Sequence, residues 1–243
     1  MNKVSLGYWR MRGRGQVPRL LLVYTGATWE DIQYSAPEQW FGGDKESLGL
    51  DFPNLPYVIE GDFKITETLA VCSYIVDRSS KREQLLGQNY IERAKIINVQ
   101  LILIEMFDKL NQVAYSPQTP ESKEKIWKEN IVPKLQYLSK FKGSYEWIFG
   151  RLTLPDFLLT EISFYIENIY PGNYKEFPFL NEIRTRFHNL PEIKKYYEQE
   201  WAVKGPFTHP MKAIIKFWKD DVIVLILNNN IKILKTLASI NFP

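Results

Sequence analysis

The stretch LGLDFPNLPYVIEGDFKITETLAVCSYI, residues 48–75, decides the fold. Asn54-Leu55-Pro56 leads into a short apolar run, Tyr57-Val58-Ile59. Glu60-Gly61-Asp62 is a turn, and Phe63-Lys64-Ile65-Thr66 is a second short run. Two such runs joined by a glycine-containing turn read as a β-hairpin. Glu67 and Thr68 then open a helix whose Leu69, Ala70, Cys72, Ser73 and Ile75 give a mixed apolar face. A proline just before a strand removes one backbone donor and can adopt the cis peptide. That would leave the N–H and C=O of Leu55 free for an extended partner. The start of the next helix offers unpaired N–H groups and the positive end of its dipole. The ligand that suits both features is a peptide-like anion.

Upstream, residues 3–9 alternate, with Val4, Leu6 and Tyr8 on one face and Ser5, Gly7 and Trp9 on the other, as in a strand. Residues 10–15, RMRGRG, form a basic loop whose Arg10, Arg12 and Arg14, with Arg19 beyond, read as solvated surface. Gln16–Tyr24 reads as a helix that tolerates Pro18 in its first turn. Trp29–Tyr34 is a second strand, and 35–47 a loop containing Pro37, Gly42 and Gly43. The order βαβ, long connection, ββα predicts a mixed four-stranded sheet of thioredoxin-like topology over residues 1–80.

Downstream, polar residues 79–88 read as a connection, with the linker placed at 81–88. An all-helical domain follows at 89–218. Tyr90–Tyr115 runs without Gly or Pro as a central helix. Glu121–Phe141 repeats at helical spacing with a kink expected at Pro133. Thr153 and Asp156 have capping-box spacing before a helix at Phe157–Tyr170. Two more helices fit Phe179–Phe187 and Glu192–Glu200. Residues 219–243, with the run Val222–Leu227, read either as an accessory helix or as a low-complexity appendage foreign to the fold; the run is too short to span a bilayer.

Composition bounds the function. A net charge of +3 on 243 residues is too small to argue for nucleic acid or an anionic membrane. With one cysteine, Cys72, there is no internal disulfide framework, and a reducing, cytoplasmic location is expected. With only His188 and His209 beside that cysteine, no metal site is expected. Cys72 reads as a small apolar residue on a buried helix face. Residues 9–16 lack the cysteine that a redox enzyme would place at the following helix N-terminus, which argues against a thioredoxin or glutaredoxin.

The stretches LGYWRMRG at 6–13, LGLDFPNLPYVIEGDFKIT at 48–66 and FPFLNEIRTRF at 177–187 resemble the cytosolic glutathione transferases, and within them the mu class. The resemblance covers residues 4–218. It implies an enzyme that adds the glutathione thiolate to hydrophobic electrophiles, with glutathione as co-substrate and no permanently bound cofactor. Tyr8 would donate a hydrogen bond to the sulfur, and Trp9 would contact the tripeptide. Trp40 and Lys45 match the residues at its glycyl end, although FGGD carries one residue more than usual before the LGLDFP motif. Asn54 and Leu55 would pair with the cysteinyl backbone, with Pro56 as the cis-proline. The usual Gln-Ser pair is here Glu67-Thr68: Thr68 keeps a hydroxyl for the γ-glutamyl carboxylate, and Glu67 would attract the adjacent ammonium. Glu105 matches an acidic residue reaching in from the partner subunit.

The electrophile would lie between Tyr8, the 10–14 loop and the long helix, near Arg14, Met106 and Tyr115; Arg14 stands where mu members carry leucine. The family is dimeric, and Phe52 matches its interface aromatic. Two other readings stay open from sequence: a non-catalytic ligand-binding or structural relative, and a glutathione-dependent isomerase.

Overall fold

The computed structural model describes residues 2–208 and the backbone of residues 222–227 and 230–235. Strand β1 (Val4–Trp9) is followed by a short 3-10 turn (Gly13–Gly15), helix α1 (Gln16–Tyr24) and strand β2 (Trp29–Tyr34). Strands β3 (Tyr57–Glu60) and β4 (Phe63–Thr66) form the hairpin, and helix α4 (Thr68–Asp77) follows it. The sheet order is β2-β1-β3-β4. β1 and β2 are parallel, whereas β1–β3 and β3–β4 are antiparallel, so the sheet is mixed. Gly7 pairs with Tyr57 across β1 and β3, and a Cβ on Gly7 would stand 2.1 Å from the Tyr57 ring. The glycine is what lets that ring lie over the sheet.

The connection at 35–47 is helical rather than irregular. It consists of α2 (Pro37–Gln39), a π-helical turn (Trp40–Asp44) and α3 (Lys45–Ser47). Gln39 Oε1 accepts from the N–H groups of Ser35 (2.7 Å) and Ala36 (3.0 Å), closing the start of the segment. The wider π turn falls on the WFGGD stretch, whose paired glycines tolerate it.

The expected linker is also structured. Its helix α5 (Arg82–Leu86) buries Leu85 and Leu86 in the main core, so the two domains share one continuous apolar interior. The second domain comprises α6 (Tyr90–Tyr115), α7 (Pro120–Ile126), α8 (Val132–Lys142), α9 (Leu154–Ile169), α10 (Pro171–Tyr174), α11 (Pro178–His188) and α12 (Pro191–Glu198). Between α7 and α8 a π turn, Trp127–Ile131, precedes Pro133, whose missing N–H would otherwise leave a gap in the helical ladder. No described helix is long and apolar enough to cross a membrane.

The capping box exists as expected. Asp156 Oδ2 accepts from the Thr153 N–H (2.8 Å) and Oγ1 (2.9 Å), and Oδ1 accepts from the Ile148 N–H (2.9 Å). In the C-terminal stretch the accessory-helix reading is overturned: Val222–Leu227 and Asn230–Lys235 pair as two antiparallel strands, which suits the β-branched VIVLIL run. The remainder of 219–243 lies outside the described residues.

Candidate active site

Tyr8 ends β1, where a loop must leave the sheet to reach α1. The ring is buried, with 5 % of its surface exposed, among Met11, Tyr34, Trp40, Leu50, Leu55 and Tyr57. Two glycines of the loop make room for it. A Cβ at Gly13 would stand 2.6 Å from the Tyr8 hydroxyl, and one at Gly15 would stand 2.3 Å from the ring. The loop bends back so that the Arg14 N–H donates to the Tyr8 hydroxyl oxygen at 2.9 Å. That oxygen is thereby an acceptor within the protein, and its own proton is left to donate outward. Burial pushes the phenol above its ordinary value of 10.0, while the Arg14 N–H and the charges of Arg14 and Arg19 draw it back. At neutral pH Tyr8 is a protonated, preoriented donor.

The loop that carries the Arg14 N–H is held from below and from the second domain. Arg19, with no exposed surface, donates to Asp31 (2.8 Å) and to the carbonyls of Met11 (2.8 Å) and Trp9 (3.2 Å). Arg12 meets Glu161 of α9 through two bonds of 2.5 and 3.1 Å. Burial disfavours the Arg12 charge, but Glu161 and Tyr197 more than offset this and hold the guanidinium above its ordinary value. Burial likewise pushes the Glu161 carboxyl up, and Arg12 opposes that. Thus Arg12 and Arg19 are buried and paired, not solvated surface as their clustering in sequence implied.

The turn before β3 forms the second part of the site. The Leu55–Pro56 peptide is cis. Asn54 Oδ1 accepts the Leu55 N–H at 2.9 Å, so this donor, expected free for a ligand, is occupied. Asn54 Nδ2 donates to Glu67 Oε1 at 2.8 Å. Glu67 sits at the N-cap of α4 with φ 72°, and among the described residues it alone holds positive φ without being glycine. Such backbone strain concentrates at ligand sites. Its side chain does not cap the helix, so the first N–H groups of α4 stand beside an exposed carboxylate and the buried Thr68. Thr68 is the first helical residue rather than the cap.

Gly13, Arg14, Thr68, Ile104, Phe107 and Glu161 surround one small cavity where the domains meet. Arg14 forms an ion pair with Asp108 of α6, and its guanidinium lies 5.6 Å from the Phe107 ring centre.

These features match known proteins. Residues 4–77 match the model of the glutathione S-transferase N-terminal domain, and residues 104–200 that of the C-terminal domain. A class-mu 26 kDa glutathione S-transferase isozyme of Fasciola hepatica is 36% identical, over 83% of this chain and 91% of its own length. The chain belongs to the glutathione S-transferase family. Glutathione S-transferase Mu 1 of Oryctolagus cuniculus is 33% identical, over 84% of this chain and 94% of its own. Among solved structures, the glutathione S-transferase Blo t 8 superposes with a TM-score of 0.73 at 26% identity, covering 87% of this chain and 100% of that one. The fold and the mu-class resemblance read from the sequence are therefore those of the transferase, which uses glutathione as co-substrate.

Two positions, Trp40 and Met106, are buried where contact with a ligand was expected. Trp40 keeps only 3 % of its surface exposed, packed on Tyr57 at 6.1 Å and Tyr34 at 5.5 Å between ring centres, so it lies beneath the site rather than on its surface. Met106 has no exposed surface and packs in the main core; Ile104 and Phe107 instead line the crevice facing Gly13 and Arg14. Trp9 is half-buried, with its ring 6.0 Å from Phe41, and the Lys45 ammonium lies 5.7 Å from the same Phe41 ring. Tyr115 is half-buried against the core and within electrostatic reach of Tyr165, as is Tyr8. Phe52 is 77 % exposed in the single chain. Glu105 is exposed and pairs with Lys134 at 2.9 Å. Cys72 is buried, and burial pushes its thiol up, which leaves it inert.

Sequence reasoning missed Glu161 and the segment at 206–207. The Arg12 N–H donates to the Pro206 carbonyl (2.8 Å) and the Gly13 N–H to that of Phe207 (3.2 Å). One signal for Glu161 was present: a carboxylate in the interior of the apolar helix LPDFLLTEISFYI, well past the capping Asp156, demands a buried cation.

Proposed function

We propose that the transferase ionises the thiol of bound glutathione against the Tyr8 hydroxyl, with the thiol proton released to solvent. The sulfur then attacks a hydrophobic electrophile seated between the 10–14 loop and α6. Its lone pair forms the new S–C bond as a halide leaves or as a conjugated carbonyl takes up the charge. The observation that carries this reading is the Arg14 N–H on the Tyr8 oxygen, which leaves the phenol proton to donate. Donation to sulfur stabilises a thiolate more than a thiol, so the bound thiol titrates below its free value of about 8.5.

In the same reading the Asn54–Leu55 turn pairs with the tripeptide backbone after the Leu55 N–H leaves Asn54. Trp9 and Lys45 lie toward the glycyl end. Thr68 and the start of α4 take the γ-glutamyl carboxylate, and Glu67 takes its ammonium. Arg14, Ile104, Phe107 and Tyr115 line the electrophile side. The active form is a homodimer: Phe52 of one protomer seats against the exposed face of α6 in the other, which brings Glu105 toward the partner's glutathione. A cytoplasmic location fits the single buried thiol.

The test combines retention on immobilised glutathione, turnover of a chlorodinitrobenzene-type substrate, and thiolate absorbance of the glutathione complex against pH. Tyr8→Phe keeps the ring and removes the donor. The expected result is nearly unchanged affinity, kcat lower by about 10- to 100-fold, and a bound-thiol midpoint moved to higher pH. An identical midpoint in wild type and Tyr8→Phe would make Tyr8 a packing residue.

A further inference from the structure

The Arg14 N–H is useful to Tyr8 only while the loop holds it in line, and one set of restraints on the loop comes from the other domain. Arg12, two residues before Arg14, meets Glu161 of α9 with its guanidinium and carboxylate only 3 % and 2 % exposed. The Phe164 ring lies 4.3 Å from the guanidinium carbon and shuts out water on that side. The contact is two-pronged, which fixes the orientation of the guanidinium as well as its distance. Arg12 and Gly13 also have their N–H groups bound to the carbonyls of Pro206 and Phe207, so the backbone on both sides of Arg12 is clamped to the helical domain.

We propose that Glu161 is a positioning residue for the transfer reaction: through Arg12 it holds the Arg14 N–H on the Tyr8 oxygen and thereby sets how strongly Tyr8 donates to the glutathione sulfur. The inference rests on Tyr8 as the thiolate donor. The link is mechanical: slackening the Arg12 clamp frees the backbone of residues 12–14 to shift, and the Arg14 N–H then meets the Tyr8 oxygen less squarely. A pair that served stability alone would have no effect on the thiol.

The experiment is the pH titration of thiolate absorbance in the glutathione complex, with KM and kcat alongside. Glu161→Gln keeps the shape and removes the charge. Its bound-thiol midpoint should rise by about half a pH unit, roughly a threefold loss of thiolate at a pH below the midpoint. KM for glutathione should change little. Glu60→Gln breaks the Arg78–Glu60 pair (2.6 Å), which does not touch the loop, and should lower stability without moving the midpoint. In the Tyr8→Phe background Glu161→Gln should have no further effect on the midpoint, because both act through one hydroxyl. Arg12→Lys, which keeps a cation but loses the paired donors, is the second arm if Glu161→Gln does not fold, and it should shift the midpoint the same way.

A folded Glu161→Gln with the wild-type midpoint, while Tyr8→Phe shifts it, would overturn the positioning role and leave the functional reading standing. So would a Glu161→Gln shift that persists without the Tyr8 hydroxyl. A Tyr8→Phe midpoint equal to wild type would overturn both.

Discussion

A methyl group at position 15 would stand 2.3 Å from the Tyr8 ring, a separation no real pair of carbons keeps. Gly15→Ala therefore displaces Tyr8 or the loop. The expected outcome is a stability loss of about 1–3 kcal/mol and a fall in kcat of about tenfold or more, since sub-ångström placement of the donor governs its effect. Denaturant midpoints and steady-state kinetics check the two halves separately. Arg19→Met removes a buried cation that serves Asp31 and two carbonyls. It should cost about 3–5 kcal/mol, because Asp31, its side chain only 7 % exposed, loses its cation and keeps the Gln33 amide alone to offset the charge. Neither buried arginine was legible in the sequence, Arg12 within RMRGRG or Arg19 beyond it. A basic cluster declares itself solvated unless its partners are known, and Glu161 lies 149 residues from Arg12. Tyr8 was legible only through the motif around it, since a tyrosine closing a strand is ordinarily core.

Helix α9 begins buried, and its start is held by one carboxylate. Asp156 accepts from Ile148 and Thr153 with no water to replace it. Asp156→Ala at pH 7 should lower unfolding free energy by about 2 kcal/mol, read from urea midpoints. Here the sequence spoke clearly, because a cap is a local pattern of residue types. The π turns at 40–44 and 127–131, the helical character of 35–47 and the strands at 222–227 and 230–235 were less legible. Paired glycines and short apolar runs leave local preference undecided, and tertiary packing settles it.

The end of α11 adds a pH effect. His188 stacks on Tyr197 at 5.1 Å between ring centres, and burial, with Arg12 and Arg184 nearby, pushes its pKa down to about 4 from 6.5. A histidine depressed in the fold gives stability that is present above its unfolded value and lost as pH falls toward 4. Asp156, raised by burial to about 6 from 3.8, has the opposite sign: its pH-linked contribution, separate from that of the hydrogen bonds it accepts, is full below 3.8 and lost as pH rises through about 6. The two oppose each other over one window. His188→Gln removes the first alone, so the variant should gain on wild type by about 1–2 kcal/mol between pH 7 and pH 5. Paired urea titrations at the two pH values read that difference; equal slopes with pH would refute it.

At the scale of the molecule, a single protomer leaves much apolar surface uncovered. Phe52 is 77 % exposed, Ile97 50 % and Leu101 56 % on α6, and Tyr137 74 % and Phe141 48 % on α8. Patches of this kind mark interfaces. Glu105 follows Leu101 by one helical turn, so the face that would take a partner's Phe52 also carries the acid expected at the partner's site. Phe52→Ser should weaken the proposed dimer by about 2 kcal/mol or more and raise KM for glutathione with it. Sedimentation equilibrium showing an unaltered dimer would remove Phe52 from the interface. The division into an α/β half and a helical half was readable from where hydrophobic periodicity changes. The seam between them was not, because Arg12, Glu161 and Phe207 meet only after both halves have folded.

That seam bears on how the protein comes into being. Synthesis runs from the N-terminus, so β1, its loop and the hairpin leave the ribosome before Glu161, Pro206 and Phe207 have been joined to the chain. A nascent sheet has its tyrosine in place and Arg19 beneath the loop, but it lacks the clamp that Glu161, Pro206 and Phe207 supply. If Glu161 positions the loop as proposed, the last adjustment of the thiol waits for the close of translation, and a chain released early would hold its sulfur less ionised.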